Sequence, residues 1–174
     1  MLFRSGFVTI HARRGVIINP LEIATIRNSY QILGALEAAA IIEAAGSFSA
    51  DDARFMASLN DRMHASLSQG DFDDYYAANI AFHEVYLGKS ANSDLKRTVR
   101  ILKERLYDFP RREGYLSDWE ESSVGEHGEL TQLLARGEFT TAAAYVRDVH
   151  WSFKAQQLFN MADLFALEAA ISTQ

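Results

Sequence analysis

Apolar side chains recur at every third or fourth position along most of this chain, the period at which one face of an α-helix repeats. The first such run extends from Leu21 to Ala45 and puts Ile26, Tyr30, Leu33, Leu36 or Glu37, Ala40 and Ile41 on one stripe. Asn19-Pro20 opens it, because asparagine is a good N-cap and proline fits the first helical position; Gly46-Ser47 closes it. Ser49, followed by Asp51 and Asp52, starts a second helix whose inner stripe is Phe55, Met56, Leu59, Met63 and Leu67, with Gln69-Gly70 at its end.

A third helix is predicted from about Asp71 to Leu87, with acidic residues at its start and Lys89 just past its end, as the helix dipole prefers. Asn92 caps a fourth. Leu95, Val99, Leu102 and Leu106 face inward there, Arg97, Arg100, Lys103 and Arg105 supply positive charge, and Pro110 limits the helix, so that residues 111–116 read as a loop. Ser117-Asp118-Trp119-Glu120 is a capping-box pattern that opens a fifth helix, with Val124, His127, Leu130 or Thr131, and Leu134 on one stripe before Arg136-Gly137 ends it. A sixth follows from about Phe139, placing Ala143, Val146, His150, Phe153 and Gln157 on one face, and its pattern continues through Leu158, Met161, Leu164 and Phe165.

Residues 6–18 depart from the helical period. They form two short β-prone runs joined by the basic turn Arg13-Arg14-Gly15, a hairpin signal. A lone two-stranded hairpin is marginal in water, so this start reads as the remnant of a larger unit. The expected division is therefore residues 1–19 as remnant and linker, and residues 20–174 as an all-α domain, an antiparallel bundle of about six helices. A chain of 174 residues, 48% of them hydrophobic, can bury a single substantial core.

Charge separates the two parts. Arg4, Arg13 and Arg14 give residues 1–20 a charge of +3 with no acid, and the remainder carries 14 basic against 23 acidic side chains, or −9. The acidic bundle is a poor nucleic-acid surface. No run of about 18 apolar residues and no secretory signal pattern occurs, which points to a cytoplasmic chain with no membrane partner. There is no cysteine, so a transition-metal site would have to use histidine, carboxylate or amide groups.

Candidate ligands of that kind are present. One helical turn separates Asn79 from His83, so an amide oxygen and an imidazole share a face, and His127 and His150 fall on apolar faces of later helices. A buried imidazole without a partner costs about 1–3 kcal/mol, so three inward histidines need three separate partners or one shared metal. Such a set suits Zn²⁺, Mn²⁺, Ni²⁺, Fe²⁺ or Co²⁺, and spacing does not choose among them. His64, at the edge of the second stripe, and His11, in the hairpin, read as structural or exposed.

Several familiar sites are excluded. His83-Glu84 is followed by Val85, Tyr86 and Leu87, so there is no His-Glu-x-x-His. The residues three before His83, His127 and His150 are Ile80, Val124 and Arg147, which excludes the Glu-x-x-His pairs of di-iron bundles. No Walker loop, dinucleotide fingerprint or nucleophile elbow occurs.

Leu36-Glu37, Asn79-x-x-Phe82-His83, Ser90-Ala91-Asn92, Glu126-His127, Ala135-Arg136-Gly137-Glu138 followed by alanines, and His150 form an ordered set. Together they resemble the effector-binding and dimerisation domain of the FadR subgroup of GntR-type bacterial transcription regulators, the FCD domain, over residues 21–165. The resemblance implies a homodimer and a metal held by Asn79, His83, His127 and His150, with a small carboxylic acid as effector. It also suggests Arg105 near that carboxylate, since a guanidinium grips one bidentately. Many relatives have Asp where this chain has Asn79, and many carry Arg three residues before the helix-one Glu, where this chain has Gly34.

In that family a winged helix-turn-helix precedes the bundle. Residues 6–18 resemble its final wing, Arg13 and Arg14 being the DNA-contacting remnant, and the recognition helix is not in this chain. The chain itself is then expected to bind DNA weakly or not at all, and not to be an enzyme. Two other readings of the residues stand beside the sensor: a small metalloenzyme with Glu84 or Glu126 as base, and a metal-free helical interaction module.

Overall fold

The computed structural model describes residues 8–11, 15–18, 23–113 and 117–153, with side chains described over 24–106 and 120–153. Two short strands, β1 (Val8–His11) and β2 (Gly15–Ile18), pair antiparallel with Val8 opposite Ile18 and His11 opposite Gly15. All other regular structure among the described residues is helical: α1 (Ile23–Ala44), α2 (Ala50–Gln69), α3 (Phe72–Leu87), α4 (Ser93–Glu113), α5 (Ser117–Ala135) and α6 (Phe139–Tyr145), which runs into a wider π-helical turn over Val146–His150. Arg13 and Arg14, and the apolar run from Leu158 to Phe165, lie outside the described residues.

The helix ends follow local chemistry. Ser49 and Asp52 close a reciprocal capping box on α2, and Gly70 ends that helix in the left-handed region at φ 69°, a conformation glycine adopts without steric cost. The Asp71 carboxylate accepts from the Asp74 amide to start α3, and the Asn92 side chain accepts from the Leu95 amide at 2.9 Å to start α4. Gly137, at φ 75°, turns the chain from α5 into α6.

Helix α2 packs against α3 and α5, while α1 lies against α3, α4, α6 and the π-turn. Between them sits a core that includes Leu33, Ile41, Met56, Met63, Phe82, Leu130 and Leu134, all almost fully enclosed. Burial of each of these large side chains contributes roughly 1.5–3 kcal/mol, enough to fix which face of each helix points inward.

Four expectations fail in detail. Phe55, placed on the inner stripe of the second helix, is 55% exposed, because Met56, Leu59 and Met63 already fill that face. Lys103, counted with the charged residues of the fourth helix and left off its inner stripe, is buried. Helix α4 continues past Pro110 to Glu113: a proline so near a helix end forfeits one backbone bond, and its fixed φ is itself helical. The sixth helix is not regular through His150, because the Trp151 amide bonds to the Val146 carbonyl at 2.9 Å, five residues back, widening the last turn.

Candidate metal centre

Three elements each deliver one imidazole to the same place. His83 comes from α3, His127 from α5 and His150 from the π-turn; they are 0%, 0% and 4% exposed, and one ring nitrogen of each lies within 4.8 Å of the others. The closest pair is His83 Nε2 and His127 Nε2, 3.2 Å apart. Ring centroids of the three are 4.8 to 5.2 Å apart, and Phe82 packs against His127 at 4.3 Å.

Partners on the far nitrogens orient two of these rings. His83 Nδ1 donates to Glu37 Oε2 at 2.9 Å, and the Tyr86 hydroxyl, 2.7 Å from the same nitrogen, donates to Oε2 at 2.6 Å. His150 Nδ1 donates to Glu126 Oε2 at 2.8 Å. A carboxylate behind an imidazole fixes its tautomer and leaves Nε2 as the free lone pair, the arrangement that metal-ligating histidines use. His127 lacks such support among the described residues: its Nδ1 is buried with no hydrogen-bond partner there.

Burial keeps the His83 and His127 rings neutral. Desolvation pulls His83 down to about 3, against the raising influence of Glu37, and Lys103 and His150 lower it further. Desolvation also holds His127 well below its ordinary value, with His150, His83 and Lys103 adding to the effect. Neutral imidazoles are the form that binds a metal. The 3.2 Å between the two Nε2 atoms is close to the roughly 3.3 Å expected for two tetrahedral ligands at Zn–N distances of about 2.0–2.1 Å, so these residues fit a small divalent cation.

Glu37 is the hub behind the histidines, and sequence reasoning gave it no role. Besides His83 and Tyr86 it accepts from the Trp151 indole at 2.8 Å, and Lys103 Nζ stands 3.1 Å from its other oxygen. Glu37 stays ionised well below the usual carboxylate range: desolvation opposes this, but His83 and Lys103 outweigh it. A carboxylate at an inward position of a helix was the available signal, because such a group needs partners. Lys103 carried a similar one, four residues after Val99 on the inner stripe of α4. Trp151 carried none, since the π-turn that aims it has no sequence pattern.

Other expected residues are placed as follows. Asn79 is buried one turn before His83, with its amide on the Tyr75 hydroxyl. Arg105 is half-buried on α4, two positions after Lys103. His64 is exposed, and Glu84 is part-exposed beside Arg100 at 3.8 Å. Gly34 has a steric reason: a Cβ there would lie 3.2 Å from the Arg147 Cα and carbonyl oxygen and from the Trp151 Cβ, so the π-turn and Trp151 take the space a larger residue would need.

Residues 28–149 match the FCD domain family, and the chain belongs to it. Such membership defines a regulatory, non-enzymatic domain. Among solved structures the fold is similar to that of Lar, a protein described as controlling the expression of the Listeria monocytogenes agr system and mediating virulence, with a TM-score of 0.65 at 17% identity over 90% of this chain and 76% of that one. No curated protein matches the chain. Among the described residues no helix is long and apolar enough to cross a membrane.

Proposed function

We propose that this domain is the sensing half of a GntR-type cytoplasmic transcription regulator, holding a divalent metal at His83, His127 and His150 with the Asn79 amide oxygen as a fourth ligand. The observation that carries the reading is the convergence of three buried imidazoles whose nitrogens lie within 4.8 Å of one another, two of them braced by carboxylates. A core that merely tolerated histidines would give each its own partner, whereas here the His83 and His127 Nε2 atoms face one another at 3.2 Å. The metal, Zn, Ni, Mn or Fe, supplies Lewis acidity toward a small carboxylate effector. An amide in place of an aspartate leaves the site one negative charge poorer.

The domain acts as a homodimer. Effector binding alters the relative populations of two arrangements of its helices, through a difference in affinity for the two, and so resets the spacing of the DNA-reading heads of the full-length regulator. In that regulator β1 and β2 belong to the wing of the DNA-binding head, and Arg13 and Arg14 are read from the sequence as its DNA-contacting residues.

Elemental analysis of untagged protein, wild type against His127→Ala, tests the metal. About one equivalent in the wild type and little in the variant is expected. No metal in either after attempted reloading would leave a metal-free helical module.

A further inference from the structure

Lys103 is the least expected group beside the histidines. It is 6% exposed, and an ammonium so enclosed has lost most of its hydration. Its Nζ lies 3.1 Å from Glu37 Oε1 and 5.4 Å from the centroid of the Trp151 ring. That ring stands 5.9 Å from His83 and 5.1 Å from His150, and the other oxygen of Glu37 accepts from His83 Nδ1, so Lys103 shares both neighbours with His83 and one with His150. Glu37 shares a single negative charge among three hydrogen-bond donors and the Lys103 ammonium.

A buried cation next to a cation-binding cluster weakens the metal, because like charges repel strongly where water is excluded. The charges around the imidazoles are Lys103 at +1, Glu37 at −1 and Glu126 at −1; Glu84, which also acts on Lys103, has Arg100 beside it at 3.8 Å. A divalent ion turns that balance from −1 to +1. One further negative charge restores neutrality.

Resting on the metal site proposed above, we propose that Lys103 is the residue that makes this site select an anion: it meets the negative group of the metal-bound ligand, and Glu37 is the internal anion that holds it until the ligand arrives. This assigns to Lys103 the task that sequence reasoning gave Arg105.

The test uses the full chain loaded with Co²⁺, whose visible absorption reports ligands joining the metal. Acetate is the anionic probe and imidazole the neutral one, titrated into wild type, Lys103→Met and the double variant Glu37→Gln/Lys103→Met. The double variant covers the case in which Lys103→Met, with Glu37 left buried and unpaired, fails to fold. Loss of a charge-assisted hydrogen bond is expected to weaken acetate about tenfold or more while imidazole stays within about twofold. Acetate affinity unchanged in the double variant, or both probes weakened alike, overturns the assignment. A wild type that takes up no Co²⁺ defeats the metal proposal separately. The role of Lys103 is then decided on metal-free protein: acetate must raise the melting temperature of the wild type but not of the double variant, and equal responses end it.

Discussion

Replacing Glu37 by glutamine keeps the shape of the side chain and removes its charge, and the structure indicates how severe that should be. Glu37 is fully enclosed, and its carboxylate faces Lys103, His83, Tyr86 and Trp151. Glutamine retains one oxygen for some of the donors, but its amide group presents hydrogens to a partner that also donates, and Lys103 loses its counter-ion. Removing one member of a buried ion pair costs about 3–5 kcal/mol, a large share of the roughly 5–15 kcal/mol that holds a typical domain together.

Glu37→Gln/Lys103→Met removes both charges, so it should recover a good part of that loss and give a coupling of roughly 2 kcal/mol or more in a double-mutant cycle. Urea unfolding followed by helical circular dichroism measures both quantities. pH supplies an independent check with a definite sign. In Glu37→Gln the lysine keeps its desolvation, which already pulls its pKa below the ordinary value, and loses the carboxylate that raised it. The unfolded chain then binds more protons than the folded one, so the variant should gain stability relative to wild type as pH rises from 7 toward 10. A single variant losing under about 1 kcal/mol, or strictly additive effects in the double, would refute the view of Glu37 and Lys103 as one buried charge pair.

Two further outcomes follow from the same geometry. His83 and His127 are held below their ordinary value by burial, so metal-free protein should be stable above about pH 6.5 and lose stability progressively as pH falls toward 3, since the unfolded histidines take up protons that the folded ones refuse; a urea midpoint that stays flat between pH 7 and 5 would contradict this. Gly34→Ala gains about 0.5–1 kcal/mol of helix propensity but places a methyl 3.2 Å from three atoms, at an overpacking cost of about 1–3 kcal/mol, so a net loss and a lower melting temperature are expected, whereas a stabilised variant would mean the π-turn yields freely.

The helices and the three imidazoles were legible because burial obliges a helix to repeat its apolar face. Ile26, Tyr30, Leu33, Met56, Leu59 and Met63 all lie inside where their spacing put them. The groups behind the histidines were hidden for two reasons. Glu37 and Lys103 are charged types that ordinarily stay in water, and only their pairing across α1 and α4, 66 positions apart, makes burial tolerable. Trp151 depends on a backbone irregularity: along a regular α-helix it would point about 100° away from His150, and the π-turn changes that direction. Proline gave the opposite error at α4, where one residue was granted the power to stop a helix that the neighbouring turns sustain.

The wide turn also joins the histidines to groups on other helices. His150 is the last residue of that turn, Trp151 follows it directly, and Trp151 hands its indole proton to the same oxygen of Glu37 that receives the proton of His83. Drawing electron density from either imidazole on the Nε2 side makes the proton on Nδ1 a better donor, so the carboxylate behind it is held more tightly. For His83 that carboxylate is Glu37, which belongs to α1 and faces Lys103 of α4; for His150 it is Glu126 of α5. Five elements, α1, α3, α4, α5 and the π-turn, are thereby tied to the state of two ring nitrogens through two carboxylates. That is the physical requirement for a small ligand to bias the packing of a whole helical domain, since its binding must differ in free energy between two arrangements of those elements.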